Sequence, residues 1–308
     1  MAPTAPHVTI LLCTRNGAAY LPEQLQSYLD QDHRDWSLWV SDDGSDDATP
    51  AILEAFRAAH GAAHEIRLLK GPQRGSAANF LHLLCHPDLP QGHVALSDQD
   101  DVWLPEKLSR ALARVEGVEA PALYAATSLR IDGAGRQTGR LRLPTAPPVF
   151  GSAMLQNVMP GHTMVMNPAG LALVRAVGPD TGTLHHDWWL SLLFTAAGAR
   201  TLLDAVPVVL YRQHGGNEIG ARGGLRAGLY RLRRVLARQY GDWVTAHARA
   251  LLAAGPVTPA SRAAAARFLD RPPQAGPGRV RRLWQLGLHR QSRAETAFVY
   301  LMAFLGRI

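Results

Sequence analysis

Between residues 8 and 97 the chain repeats one phrase: a short apolar run, a polar loop, then a stretch of helical character. The runs lie at 8–13 (VTILLC), 36–40 (WSLWV), 66–69 and 94–97, and the helical stretches at 21–29, 51–60 and 77–85. Continuous apolar runs of β-forming residues suit strands buried on both faces, as in a sheet covered by helices on either side. Pro22 stands near the first turn of the first helical stretch, where its missing N–H costs nothing. The alternation predicts an α/β fold with a mostly parallel sheet. Ligands of such sheets bind beyond the carboxyl ends of the strands. Three polar clusters, at 14–16, 42–47 and 98–101, each follow a run directly, so they are expected to converge on one crevice.

The last cluster carries the most chemistry. Asp98, Asp100 and Asp101 place three carboxylates within four residues, and these repel one another unless a cation or hydrogen-bond donors neutralise them. Oxygen ligands of this kind suit Mg2+ or Mn2+, held by one or two carboxylates and bridging to substrate phosphates. An isolated acidic cluster reads equally well as a solvated turn, and its place straight after the VALS run favours the ligand reading. Asp42 and Asp43 suit a base or ribose, but taken alone they read more readily as an Asp-rich turn before a helix capped by Asp47 or Thr49.

Beyond residue 105 the rhythm loosens. Strands are expected at 122–129, 164–166 and 206–212, helices at 168–177 and 187–197, and a Gly- and Pro-bearing loop at 132–150. After Gly223 the character changes to Arg-rich amphipathic helix, with Leu225, Leu229, Leu232 and Leu236 on one stripe between arginines. Residues 1–218 hold 16 Lys and Arg against 22 Asp and Glu, whereas residues 219–308 hold 16 Arg against three acids. An acidic front and a basic back imply different partners, the back being suited to phosphates of nucleic acid or anionic lipid. The nine residues 297–305 (AFVYLMAFL) are too few to span a bilayer but enough to lie in its interface. The competing reading packs these stripes on the catalytic domain. Two cysteines, Cys13 and Cys85, make no disulfide framework and fit a reducing cytoplasm, and the N-terminal residues do not read as a signal peptide.

The ordered set CTRNGAAYL, VSDDGSDD, QRGSAANF, LSDQDDVWLPEKL, GHTMVMN, HHDWWLSL and YRQHGGNEIG resembles the inverting nucleotide-sugar transferases of glycosyltransferase family 2, which have the GT-A fold. Within that family it is most similar to bacterial rhamnosyltransferase-like members. The resemblance runs from about Val8 to Gly220 and implies a catalytic domain over 1–220, with a nucleotide-sugar half to about 105, an acceptor half over 106–220, and a helical extension over 221–308. It also implies roles. Thr14 and Asn16 would border the nucleotide, Asp43 would bond the pyrimidine, and Arg74 or Asn79 would lie near the ribose or diphosphate. Asp100 would touch the ribose, and Asp101 would ligate Mn2+ or Mg2+ with Asp98 in support. Asp187 matches the catalytic base, and His214 a late histidine that approaches the metal. Trp103, Trp188 and His162 are the acceptor-side candidates, Trp103 and Trp188 as stacking faces for sugar rings. The implied partners are a nucleotide-diphosphate sugar (dTDP-rhamnose first, UDP-sugars next) and a surface-polysaccharide or lipid-linked glycan acceptor. An anionic membrane surface met by residues 221–308, at the inner face of the plasma membrane, completes the expectation.

The chemistry agrees with these assignments. A divalent ion stabilises a nucleoside diphosphate leaving group, and a carboxylate takes the proton of an acceptor hydroxyl whose own pKa is high. A single displacement needs no enzyme nucleophile. Three other functions fit the sequence less well. A nucleotidyltransferase carries a Gly-rich basic loop after its first strand, which CTRNGAAYL is not. A nucleic-acid-binding protein has no recognisable motif here beyond the basic tail. A catalytically dead scaffold sits badly with Asp43, Asp100, Asp101 and Asp187 together.

Overall fold

The computed structural model describes residues 6–214, 238–270 and 275–308. The expected leucine stripe at 225–236 lies outside the described residues. The N-terminal half contains strands β1 (Val8–Thr14), β2 (Trp36–Asp42), β3 (Ile66–Lys70) and β4 (His93–Ser97), with helices α1 (Leu21–Leu29), α2 (Thr49–His60) and α3 (Ser76–Leu84) between them. β3, β2, β1 and β4 pair in that order, and all three pairings are parallel. Successive residues of these strands point to opposite faces. Ile10 and Leu12 join Leu38 and Val40 in one apolar layer, while Leu11 and Cys13 join Trp39 and Leu96 in the other. The whole of β1 is buried, as its unbroken apolar run requires.

The second half adds β5 (Val102–Trp103), α4 (Lys107–Val115), β6 (Ala122–Asp132), β7 (Gln137–Arg140), α5 (Phe150–Ala153), a 3₁₀ turn (Gly161–Thr163), β8 (Val165–Met166), α6 (Pro168–Val177), α7 (His186–Ala196) and β9 (Arg200–Gln213). The sheet continues β4, β8, β6, β9, β5, with β7 paired to β6. Here β6 and β9 are parallel, while the pairings through β8, β5 and β7 are antiparallel. Residues 132–150, expected as loop, contain the short strand β7 opposite β6. β9 starts six residues earlier than its sequence suggests. Pro207 removes a ladder donor where the register with β6 shifts, and that interruption hid the first half of the strand.

Among the described residues, four further helices follow: α8 (Gln239–Ala253), α9 (Pro259–Leu269), α10 (Pro277–Gln285) and α11 (Arg293–Phe304). Val244, Ala248 and Leu251 of α8, Phe268 of α9, Leu283 of α10 and Val299 and Met302 of α11 belong to the same apolar layer as Phe80 and Trp189. The described residues of the basic C-terminal region therefore pack on the sheet-covering helices. Among the described residues no helix is long and apolar enough to cross a membrane.

Candidate active site

The three polar clusters do meet at the carboxyl edge of the sheet, laced together by named hydrogen bonds. Thr14 Oγ1 donates to Asp42 Oδ1 (2.8 Å), and Asp43 N–H donates to the Thr14 carbonyl. Asn16, in the left-handed region at φ 50°, donates its N–H to Ser45 Oγ and accepts from Asp46 N–H through Oδ1. An Asn tolerates that conformation at little cost. Gln99 forms a two-point clasp on the Arg15 backbone, accepting from its N–H (2.8 Å) and donating to its carbonyl (2.9 Å). A Cβ on Gly17 would stand 2.2 Å from Gln99 Oε1, so a larger residue there would push the Gln99 carboxamide out of this clasp.

Asp43 is buried and accepts from Gln73 N–H (2.6 Å) and Gly75 N–H (2.9 Å). It thus anchors the 71–75 loop, on which Gln73 sits at φ 57° and Gly75 at φ 89°. Asn79 is buried with its carboxamide clamped to Ser41, accepting from Oγ and donating to the carbonyl. Arg74 is exposed and pairs with Asp180 at 3.0 Å.

The acidic cluster has one fully buried member. Asp101 Oδ1 accepts from Arg212 N–H (2.9 Å), while its Oδ2 is buried with no hydrogen-bond partner among the described residues. Burial, and then the charges of Asp100 and Asp98, raise its pKa well above the usual carboxylate range. A buried, unpartnered carboxylate oxygen is costly unless something positive meets it. Ligand atoms of Asp98, Asp101 and His162 lie within 4.8 Å of one another, so two carboxylates and an imidazole face one point. His162 is buried and held neutral, its pKa pushed down to about 3 by burial, then by Lys107 and His186. Neutral imidazole is the ligating form, and oxygen-rich sets with one nitrogen suit Mn2+ or Mg2+. The His162 ring is fixed by Ser128 Oγ (3.1 Å) and by stacking on Tyr211 at 4.6 Å.

The late histidine is placed differently. His214 Nε2 lies 2.7 Å from Asp100 Oδ2 and its ring packs on Tyr20 at 4.8 Å. It is His162, expected on the acceptor side, that stands beside Asp98 and Asp101. Some 60 residues of sequence separate them, and their meeting depends on β8 pairing with β4, a pairing sequence reasoning cannot supply.

Asp187 sits in the first turn of α7, where a helix N-terminus favours an anion. Its Oδ1 accepts from Trp188 N–H at 2.7 Å, yet burial raises its pKa above the ordinary value. A raised pKa makes a better proton acceptor. Gly161 lets the 3₁₀ turn lie against it, since a Cβ there would stand 2.7 Å from His186 Nε2 and 3.0 Å from Asp187 Cβ. His162 is the next residue, so the base candidate and the acidic cluster border one space. Tyr211 confirms this grouping, for its raised pKa reflects burial first and then the charges of Asp101, Asp98, Asp100 and Asp187.

The two tryptophans expected to stack on sugar are committed elsewhere. Trp103 is in the core, with Lys107 Nζ 3.2 Å from its ring centre and Tyr28 edge-on at 4.8 Å. Trp188 is buried, donates to the Ala153 carbonyl at 2.7 Å, and packs against Tyr240, Trp243 and His247 of α8. Both lack an open face because each lies on the apolar side of its element.

Two basic residues escaped sequence reasoning although they lie inside quoted motifs. Lys107 is buried, donates to the His162 carbonyl (2.8 Å), and has its pKa drawn well down by burial against the opposing pull of Asp101 and Asp98. It shares the inward face of α4 with Leu108, Ala111 and Leu112, and a lysine on an apolar stripe was the available signal. Arg212 is buried and donates to the Asp100 carbonyl (3.0 Å) and to Glu23 Oε2 (2.6 Å), with its guanidinium 4.7 Å from the Tyr20 ring centre.

Residues 9–177 match the family model for glycosyl transferase family 2. The chain belongs to that family. This glycosyltransferase is 28% identical to the dTDP-rhamnosyl transferase RfbG of Shigella flexneri over 248 residues, 78% of this chain and 84% of that protein. It is 27% identical to the putative glycosyltransferase EpsE of Bacillus subtilis over 145 residues, 47% of this chain and 50% of that one. Among solved structures it resembles the mannosyltransferase PcManGT of Pyrobaculum calidifontis, determined with GDP-Man and Mn2+, with a TM-score of 0.55, 19% identity and coverage of 98% of this chain and 75% of that one. It also resembles S. aureus TarS 1-349, with a TM-score of 0.54, 15% identity and coverage of 79% of this chain and 65% of that one. At these identities the structural likeness bears on fold, which is that of GT-A glycosyltransferases.

Proposed function

We propose that this glycosyltransferase moves a sugar from a nucleotide-diphosphate donor to a surface-polysaccharide or lipid-linked glycan acceptor with inversion. dTDP-rhamnose is the favoured donor and UDP-sugars follow. The observation that carries the reading is the unpartnered, buried Oδ2 of Asp101 beside Asp98 and His162 at the carboxyl edge of β4. Similarity to a dTDP-rhamnosyl transferase over 84% of that protein's length supports the choice of donor.

Asp98, Asp101 and His162 would hold Mn2+ or Mg2+, and a bound divalent cation supplies Lewis-acid stabilisation to the departing diphosphate. Arg212 positions Asp101 through its N–H and the Asp100 carbonyl through its guanidinium. The Asp43–Gln73–Gly75 clasp and the loop at 14–16 shape the nucleotide side. Asp187 takes the acceptor hydroxyl proton as the new glycosidic bond forms and the bond to the diphosphate breaks. The enzyme works on the cytoplasmic face of the inner membrane in this reading, where lipid-linked acceptors are presented.

The test is direct. The protein is incubated with dTDP-rhamnose or UDP-sugars, Mn2+ and lipid-linked acceptor, and the glycosylated product is identified by mass spectrometry. Rhamnosylated acceptor with the inverted anomeric configuration supports the reading. Retained configuration, or transfer independent of every divalent ion, overturns the mechanism.

A further inference from the structure

We infer that the outer face of the last helix pair is a docking surface for an anionic membrane, with the C-terminal helix lying in the plane of the interface. α11 has two faces. Val299, Met302 and Ala303 point into the shared core, while Phe298, Leu301, Phe304 and Leu305 are 40%, 52%, 48% and 50% exposed. Phe298, Leu301 and Phe304 are spaced three apart, and Leu305, the C-cap, stands four beyond Leu301, so the four make one stripe. The neighbouring α10 adds Trp284, at 70% exposure. α10 and α11 run as a hairpin, since Gly276 N–H at the start of one donates to the Phe304 carbonyl at the end of the other. Five of the eight large hydrophobic side chains exposed among the described residues are therefore on this hairpin. Scattered surface leucines need no explanation, but a continuous aromatic and aliphatic stripe does.

Charge decides the occupant. Residues 275–308 hold six arginines and one acid, Glu295, and Glu295 lies at the start of α11 near Arg290. Arg281 and Arg293 are exposed beside the apolar stripe on the same two helices. An apolar stripe flanked by arginines, with an exposed tryptophan, is the pattern of a helix lying in the headgroup region of an anionic bilayer. A second copy of this chain, carrying the same arginines, would meet them with like charge. The inference deepens the membrane-side acceptor reading and rests on it for which surface is met. It is independent of donor, metal and catalysis.

The experiment uses the full chain without donor or metal. Sedimentation with phosphatidylcholine vesicles is compared with vesicles that also contain phosphatidylglycerol. Binding to the anionic vesicles alone, weakened by salt, is expected, and the exposed double variant L301S/F304S should lose at least tenfold in affinity. Trp284 is the most exposed of the seven tryptophans, the others being buried or half-buried, so brominated lipid should quench a component of emission that is missing in W284F. Absence of vesicle binding overturns the inference. So does equal binding by L301S/F304S, or a concentration-dependent dimer that the double variant abolishes. Soluble-donor hydrolysis by L301S/F304S should match that of the parent, so a failure at the membrane is distinguishable from a failure of the transferase reading.

Discussion

Replacing Arg212 by methionine is expected to lower stability by about 3 kcal/mol while leaving the Asp101 carboxylate in place. Methionine keeps most of the aliphatic volume, so the loss is polar. The ion pair with Glu23 contributes no more than about 1 kcal/mol, because the Glu23 side chain is 60% exposed although Arg212 itself is 1% exposed. The guanidinium over the Tyr20 ring adds roughly 1 kcal/mol. Leaving the Asp100 carbonyl without its donor costs about 1–2 kcal/mol. For a chain of this size each kcal/mol moves Tm by roughly 2 °C, so scanning calorimetry should show a fall of about 6 °C. Asp101 keeps its bond from residue 212 because the donor is the backbone N–H, so metal-dependent donor affinity should fall by less than about tenfold, or roughly 1.4 kcal/mol. Glu23→Gln is the control and should cost no more than about 1 kcal/mol. The reasoning is refuted if Arg212→Met melts with the parent, or if Glu23→Gln is as damaging, since the energy would then sit in the exposed ion pair.

The other predictions concern the base and the turn behind it. Asp187→Asn should bind donor normally and lose about 100-fold or more in turnover, read by single-turnover kinetics. Burial raises the Asp187 pKa in the folded state, so ionising it opposes folding and its stabilising contribution is lost as pH rises through that value; Asp187→Asn should therefore be at least as stable as the parent at pH 7, by urea titration. The same shift requires that kcat rise with pH through the raised value and that this limb vanish in the variant. Gly161→Ala pushes a methyl against His186 and Asp187, and a displacement of about 1 Å there should cost roughly 100-fold in kcat with a far smaller change in donor affinity. His162→Ala should weaken Mn2+ binding about tenfold or more by calorimetry, whereas His214→Ala, which removes the partner of Asp100, should affect it less.

The N-terminal half of the fold was legible because β1, β2 and β4 are largely apolar, buried runs that each lead into a cluster of acids or amides. The run at 8–13 and its loop at 14–16 needed no tertiary information, since burial on both faces leaves one reading of VTILLC. The helix at 168–177 was equally plain, with Asn167 capping it by accepting from Gly170 N–H and Pro168 opening it. The acceptor side was legible only in part, because its strands are short or interrupted. β8 falls within the strand expected at 164–166, but the short strands β5 and β7 exist by pairing with other strands, and Pro207 masks the first half of β9. The same distance dependence hid the third member of the acidic cluster. His162 reaches Asp98 and Asp101 through the β4–β8 pairing, while the histidine nearer in motif, His214, is drawn to Asp100. The buried lysine and arginine were hidden for another reason: Lys107 donates to backbone carbonyls, and Arg212 donates to a backbone carbonyl and to Glu23, far away in sequence, partners that local sequence does not reveal.

The central claim is that Asp101 and its neighbours bind a divalent cation that in turn binds the donor's diphosphate. Calorimetric titration of dTDP, UDP and GDP into the protein, with and without Mn2+, and into Asp101→Ala, tests it most directly. The account predicts binding of one nucleotide, dTDP first, that requires Mn2+ and is absent in Asp101→Ala while that variant stays folded. Equal binding without Mn2+, or unchanged Mn2+-dependent binding in Asp101→Ala, would contradict it.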